Sequence, residues 1–160
     1  MSTIISGSSG ITFPNGTTQA SAGAVLQVVT ATDAGGSTTS TSAANLSTTA
    51  ITITPKSTSS KLIIQVSLQG IITAAGAGTN SYGYYQINEG VTQRSFATIN
   101  MATVSGTGTN VQVSNGLCLL ASVTNSALTT RGFSLYGYTS TSSATCYGNS
   151  MTWVITEVAT

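Results

Sequence analysis

Along residues 51–68, ITITPKSTSSKLIIQVSL, apolar and polar positions alternate with a period of two on both sides of a polar interruption. Ile51 and Ile53 alternate with Thr52 and Thr54. Leu62, Ile64, Val66 and Leu68 then share one face, while Gln65, Ser67 and Gln69 take most of the other. This period is that of a pleated strand with one side on a core. Pro55 lacks the amide hydrogen that a ladder needs, so the first strand ends there and 56–60 makes a polar corner. A slip of one residue would bury glutamines, which pins the register of the second strand. Two such strands joined by a corner predict a β-sandwich.

The same reading extends along the chain. In 24–32, Val25, Gln27, Val29 and Ala31 share one face and Leu26, Val28 and Thr30 the other. Both faces are partly apolar, which predicts burial on both sides, as at a subunit contact. Residues 33–44, DAGGSTTSTSAA, read as an exposed low-complexity loop. Residues 82–88 form a strand, 88–90 a turn, and 91–98 the hairpin partner. Residues 99–104 extend that strand or begin another. Asn115-Gly116, inside 111–124, signals a turn or a bulge. In 131–140, Phe133 and Leu135 point inward, and Tyr136 and Tyr138 point to solvent or a partner. The last strand, 151–158, sets Met151, Trp153 and Ile155 against Thr152, Val154, Thr156 and Val158. Bulk on both faces makes it central. The turn spacing fits an all-β sandwich or barrel of about eight to ten strands.

Residues 1–22 differ from this pattern. Ile11 and Phe13 make a short apolar pair, and Pro14-Asn15-Gly16 suits a tight turn. So short a segment has no core of its own. It reads as an extended N-terminal arm, with linker-like flanks, that docks on the body or on a neighbouring chain. Residues 23–160 are then the sandwich domain.

Composition changes the picture in one respect. Only 4% of residues are charged and the net charge is +1, while 40% are hydrophobic and Ser plus Thr make up about a third. Disorder goes with low hydrophobicity and high charge, so a folded β-protein is expected. Four scattered cations cannot neutralise a phosphate backbone, so no nucleic-acid partner is expected. Little self-repulsion favours association. The N-terminus shows no signal-peptide pattern, and no run approaches the ~20 apolar residues of a membrane span. The expectation is a chain made and kept in a cytosol, or released by lysis, without membrane insertion.

Candidate chemistry is sparse. There is no histidine, which removes the usual general base, the commonest metal ligand and any Ser-His-Asp arrangement, and the two cysteines and three carboxylates show no metal-ligand spacing. Asp33, Glu89 and Glu157 are the acids; Glu89 and Glu157 read as solvated turn and terminus charges rather than a glycosidase pair. Cys118 and Cys146 read as buried free thiols, with a disulfide open only if their strands are neighbours. No catalytic residue, metal or cofactor is expected. Tyr82, Tyr84, Tyr136 and Tyr138 suit either ordinary sheet packing or contacts to protein and glycan.

Three segments carry a resemblance. GITFPNGTTQASAG resembles an "ITFPDGT-TQ" segment that recurs in tail-fibre and related virion proteins of tailed bacteriophages, with Asn15 where Asp is usual. ITITPKSTSSKLIIQVS is similar to the "ITPKSSSSKILI-V" strand pair of that family. MTWVITEVA resembles its closing strand, which ends in a Glu followed by an apolar residue. The resemblance implies a jelly-roll-like antiparallel β-sandwich that assembles as a homotrimer on the virion surface, put together in the host cytoplasm, without enzyme activity. The implied partners are the major capsid protein or tail components, with a host surface glycan as a further candidate. A chain that is nearly all head favours a capsid decoration (cement) protein over a tail-fibre tip. On that reading Ile11, Phe13, Pro14, Val25, Leu26 and Val28 lie at contacts, and Tyr82, Tyr84, Tyr136 and Tyr138 face any glycan.

Overall fold

A computed structural model of the chain describes residues 4–6, 10–12, 18–19, 24–74, 81–101 and 111–160. The strands, in chain order, are β1 (Ile4–Ser6), β2 (Gly10–Thr12), β3 (Thr18–Gln19), β4 (Val25–Thr38), β5 (Ala44–Asn45), β6 (Ile51–Ile53), β7 (Lys61–Ala74), β8 (Ser81–Glu89), β9 (Thr92–Met101), β10 (Val111–Thr124), β11 (Arg131–Thr139) and β12 (Ala144–Val158). Among the described residues there is no helix. Among the described residues every pairing is antiparallel. Sheet I is four-stranded in the order β10-β7-β12-β4. Sheet II is five-stranded, β5-β11-β8-β9 with β6 also on β11. The two sheets pack face to face, so the protein is an all-β sandwich. β1, β2 and β3 pair as a separate small sheet.

The alternation read in 51–68 sets the core. Ile51, Ile53, Leu62, Ile64, Val66 and Leu68 are buried, and Thr52, Thr54, Gln65 and Gln69 are exposed. β6 belongs to sheet II and β7 to sheet I, so the corner after Pro55 carries the chain from one layer to the other. Trp153, Tyr85, Phe133, Leu46 and Leu135 fill the space between the layers. β12 is central in sheet I, as the bulk on both its faces predicts.

Two buried carboxylates organise the turns. Glu157, with no exposed surface, accepts hydrogen bonds from Ser60 Oγ (2.5 Å), Gln27 Nε2 (2.6 Å), the Lys56 amide (2.9 Å) and the Ser57 amide (3.1 Å). It is therefore no solvated terminus charge but the peg on which the corner turns. Burial pushes its carboxyl up, yet the hydrogen bonds from Ser60, Lys56, Gln27 and Ser57 together hold it below its ordinary value. Asp33 does the same for 46–49. Its oxygens accept from the amides of Gly35 (2.8 Å), Thr48 (2.9 Å) and Thr49 (3.2 Å) and from Thr48 Oγ1 (2.7 Å). Here too burial raises the carboxyl and the hydrogen bonds outweigh it, so the net direction is down.

Asp33 also explains why 33–44 is not the loop that its composition suggests. β4 continues to Thr38 because Asp33 is folded inward and Gly35 and Gly36 lie against β12. Gly35 has φ +82°, and a Cβ there would sit 1.6 Å from the carbonyl oxygen of Gly148. Opposite it β12 is irregular between Asn149 and Thr152, with Ser150 at φ 50°. This bulge lets β12 start at Ala144, earlier than the expected 151. Asn115-Gly116 is neither turn nor bulge: both residues stay in register with Gly70 and Gln69 inside β10. An edge strand tolerates them because their backbones are already paired on one side and open on the other.

Candidate functional site

Three surface features gather the residues that sequence reasoning singled out. The first is the outer face of sheet I. Cross-strand register lines up Ser122, Ile63, Thr156 and Val28 in one row, and Leu120, Gln65, Val154 and Thr30 in the next. Cys118, Ser67, Thr152 and Thr32 follow. Leu120 is 60% exposed, Val25 59%, Val28 54%, Leu26 38% and Ile63 37%. Among these rows there is no charge, and Lys61 stands at one end. Val25, Leu26 and Val28 are therefore open on the isolated chain, on β4, the edge strand of sheet I. Ile63 and Leu120 complete the patch. Sequence reading missed both, although Ile63 breaks the alternation of 62–68 as an apolar residue on the polar face. Four strands of 14 or 15 residues give this face about 45 by 19 Å, roughly 850 Å².

Ile11 lies in β2, where its backbone pairs with Ile5 and Gln19. Phe13 and Pro14 lie outside the described residues, as does the 22/23 boundary. Cys118 is exposed on the sheet I face, not buried, while Cys146 is in the core. Their strands flank β7 on opposite sides, so the two thiols do not pair. Burial pushes the Cys146 thiol up to about 11.

The second feature is an aromatic cluster on the outer face of sheet II. Tyr84 and Tyr138 are cross-strand partners with ring centroids 4.4 Å apart and planes 18° from parallel. Phe96 joins at 5.8 Å from Tyr84 and 6.5 Å from Tyr138. Tyr82, two residues along β8, stacks on Tyr84 at 6.3 Å. Tyr82, Tyr84 and Tyr138 are thus brought together. Tyr136 faces the same way, half-buried, but is not one of the stacked rings. Phe96 is a member that the tyrosine pattern alone does not reveal. Tyr85 points the other way, its hydroxyl between the carbonyl oxygens of Tyr147 (2.8 Å) and Ile71 (3.1 Å). Burial pushes its pKa far up.

The third feature is an open cleft of about 990 Å³ between the β8–β9 hairpin and the loop from β10 to β11. Glu89 lies at its edge, and Arg131 grips it with two parallel bonds, Nε to Oε1 at 2.6 Å and Nη2 to Oε2 at 2.7 Å. Arg94 adds Nη2 to Oε2 at 2.8 Å and Nε to Oε2 at 3.1 Å. The Arg131 hydrogen bond lowers the Glu89 carboxyl most; burial opposes it, and Arg94 and both charges add to the lowering. Glu89 is hence a paired anion, not a free turn charge. Arg131 also lies over the Phe133 ring at 5.9 Å, and its Nη1 reaches the Thr124 carbonyl at 3.3 Å and Asn125 Oδ1 at 3.5 Å. Asn125 in turn donates from Nδ2 to the Ser57 carbonyl. One polar network thus runs from Glu157 through the 57–60 turn, Asn125 and Arg131 to Glu89 and Arg94. Among the described residues, no group of three His, Cys, Asp or Glu is placed to hold a metal ion.

No protein-family model matches this chain, and no curated protein matches it.

Proposed function

We propose that this protein works by assembly rather than by chemistry: a homotrimer on the outer surface of a phage particle, acting as a capsid decoration protein that bridges neighbouring shell subunits. The observation that carries this reading is the outer face of sheet I, where Val25, Leu26, Val28, Ile63 and Leu120 are exposed together on an uncharged, threonine-rich surface. Exposed aliphatic side chains gathered on one uncharged face, interleaved with Thr, Ser and Gln, are the mark of an interaction surface. A second copy of the chain is the occupant that fits. The rows of this face present no charge to be matched by a foreign partner, Lys61 standing at one end, and the sheet is broad enough to seat a protein interface. In a closed trimer this face meets a different surface of the next copy, so one heterologous contact is repeated around the axis and none is left open. The likeness of its segments to phage virion proteins supplies the setting, including a jelly-roll-like strand arrangement and contact with the major capsid protein.

A second reading, a tail-fibre-type tip that recognises a host surface glycan, draws on the half-exposed cluster of Tyr82, Tyr84, Phe96 and Tyr138. Copy number on purified particles separates the two: hundreds of copies support decoration, a handful a tail component. Removal of residues 1–22 tests the docking role assigned to Ile11, Phe13 and Pro14. Truncated protein that still coats particles at full occupancy would remove that role.

A further inference from the structure

The cleft at the β8–β9 end shares only Ser122 with the face used by the assembly reading. The chain has only seven charged residues, four basic and three acidic, and three of them, Arg94, Glu89 and Arg131, meet here. Two guanidinium groups share one carboxylate, which leaves one positive charge without a counter-charge inside the triad. The geometry says which arginine carries it. Arg131 is the less exposed (15% against 33% for the Arg94 side chain) and takes both oxygens of Glu89. Arg94 shares only Oε2, and among the described residues its Nη1 has no acceptor. A guanidinium presents a planar fork that matches a carboxylate. Arg131 is held from behind by Phe133, Thr124 and Asn125, so the charged wall of the cleft is already in place before anything binds.

The rest of the lining selects the kind of anion. Thr92, Ser122, Ser126, Thr129 and Thr130 bring hydroxyl groups to the same cleft, and hydroxyls exchange hydrogen bonds with other hydroxyls in either direction. Phe96 follows Arg94 by two residues on β9 and opens the aromatic cluster beyond it, which offers apolar contact to a ligand longer than the cleft. A single surplus cation is too little for a nucleic-acid backbone, whose binding scales with the number of phosphates neutralised. An acidic peptide would find few further cations along this surface.

We propose that this cleft binds a sugar acid, a saccharide unit bearing a carboxylate, with Arg94 taking the carboxylate, the Ser and Thr hydroxyls reading the ring hydroxyls, and the neighbouring sugar reaching toward Phe96. This does not rest on the assembly reading: a trimer that binds no sugar acid and a monomer that binds one are separate, observable results.

The test is titration of the 160-residue chain, labelled with nitrogen-15, with oligogalacturonate. The readouts are the Arg94 and Arg131 Nε–H resonances and the amides of 89–94 and 122–132. Saturable shifts confined to this end, weakened by salt, are expected. Arg94→Gln, at an exposed position, should keep the unfolding temperature and weaken binding by about tenfold or more, the loss of one charge-assisted hydrogen bond. Equal binding of a neutral galactose oligomer overturns the role of the charge. Equal binding of acetate assigns a free carboxylate and overturns the saccharide. Equal binding of oligoglutamate or single-stranded DNA overturns the ligand class, and absence of shifts overturns the site.

Discussion

Replacing Glu157 by Gln removes a charge and almost no volume, and the structure states what should follow. Every group around the carboxylate is a donor: Ser60 Oγ, the Lys56 and Ser57 amides and Gln27 Nε2. A glutamine keeps one acceptor oxygen and turns the other into an NH2 that faces donors. Hydrogen bonds to a charged acceptor are worth about 1.5–3 kcal/mol against ~1 for neutral ones, and a buried donor left unsatisfied costs about 1–3 kcal/mol. Two or more donors lose the charge and one loses its acceptor, so the expected destabilisation is about 3–4 kcal/mol. For a domain of this size 1 kcal/mol shifts the midpoint by about 2–4 °C, which places the Tm loss near 10 °C. The assay is thermal unfolding at fixed protein concentration, followed by circular dichroism, from pH 7 to pH 3. Because the folded carboxyl lies below its ordinary value of 4.5, its stabilisation is complete above that value and fades as pH falls through the folded pKa. The parent should therefore lose stability in acid, and Glu157→Gln should lose less of it over the same range. Asp33 and Glu89, also lowered, keep some acid dependence in the variant. A variant within 2 °C of the parent at pH 7, with an unchanged acid slope, would refute the claim that this carboxylate holds the corner.

Gly35→Ala should cost at least about 3 kcal/mol, because a positive φ and a Cβ driven into the Gly148 carbonyl force β4 away from β12; a denaturant midpoint equal to the parent's would contradict this. Leu120→Glu, on the exposed outer face of sheet I, should leave monomer stability within about 0.5 kcal/mol and yet abolish self-association; size-exclusion chromatography with a denaturant curve reads both. Cys118 lies on that same face, so its thiol should react with a maleimide slowly in the parent and fast in Leu120→Glu; equal rates would mean that the face stays open.

Much of the fold is legible in the sequence because a period of two maps directly onto inside and outside. The residues of 51–68 and 151–158 sit on the faces that alternation assigns. What fails is where a single long-range contact overrides local composition. DAGGSTTS reads as a loop, but Asp33 recruits the amides of 48 and 49 and keeps the chain in the sheet. Glu157 reads as a solvated terminus charge, but its partners lie about a hundred residues earlier, in a turn whose own sequence is merely polar. Asn115-Gly116 carries a turn signal that fourteen consecutive pairings with β7 outvote. The candidate surfaces show the same division. Leu26 and Val28 stand out as apolar residues on the second face of their strand, whereas Val25, Ile63 and Leu120 join them only through register, Val25 by the shift between Glu157 and Val158. The Arg94–Glu89–Arg131 triad has no sequence signature, because Arg131 arrives from another strand.

Sedimentation equilibrium of the 160-residue chain at micromolar concentration tests the account most directly. The account predicts a trimer at three times 16.1 kDa that Leu120→Glu reduces to a single folded chain. A parent that sediments at 16.1 kDa throughout the range, with its sheet I face open to solvent, would contradict it.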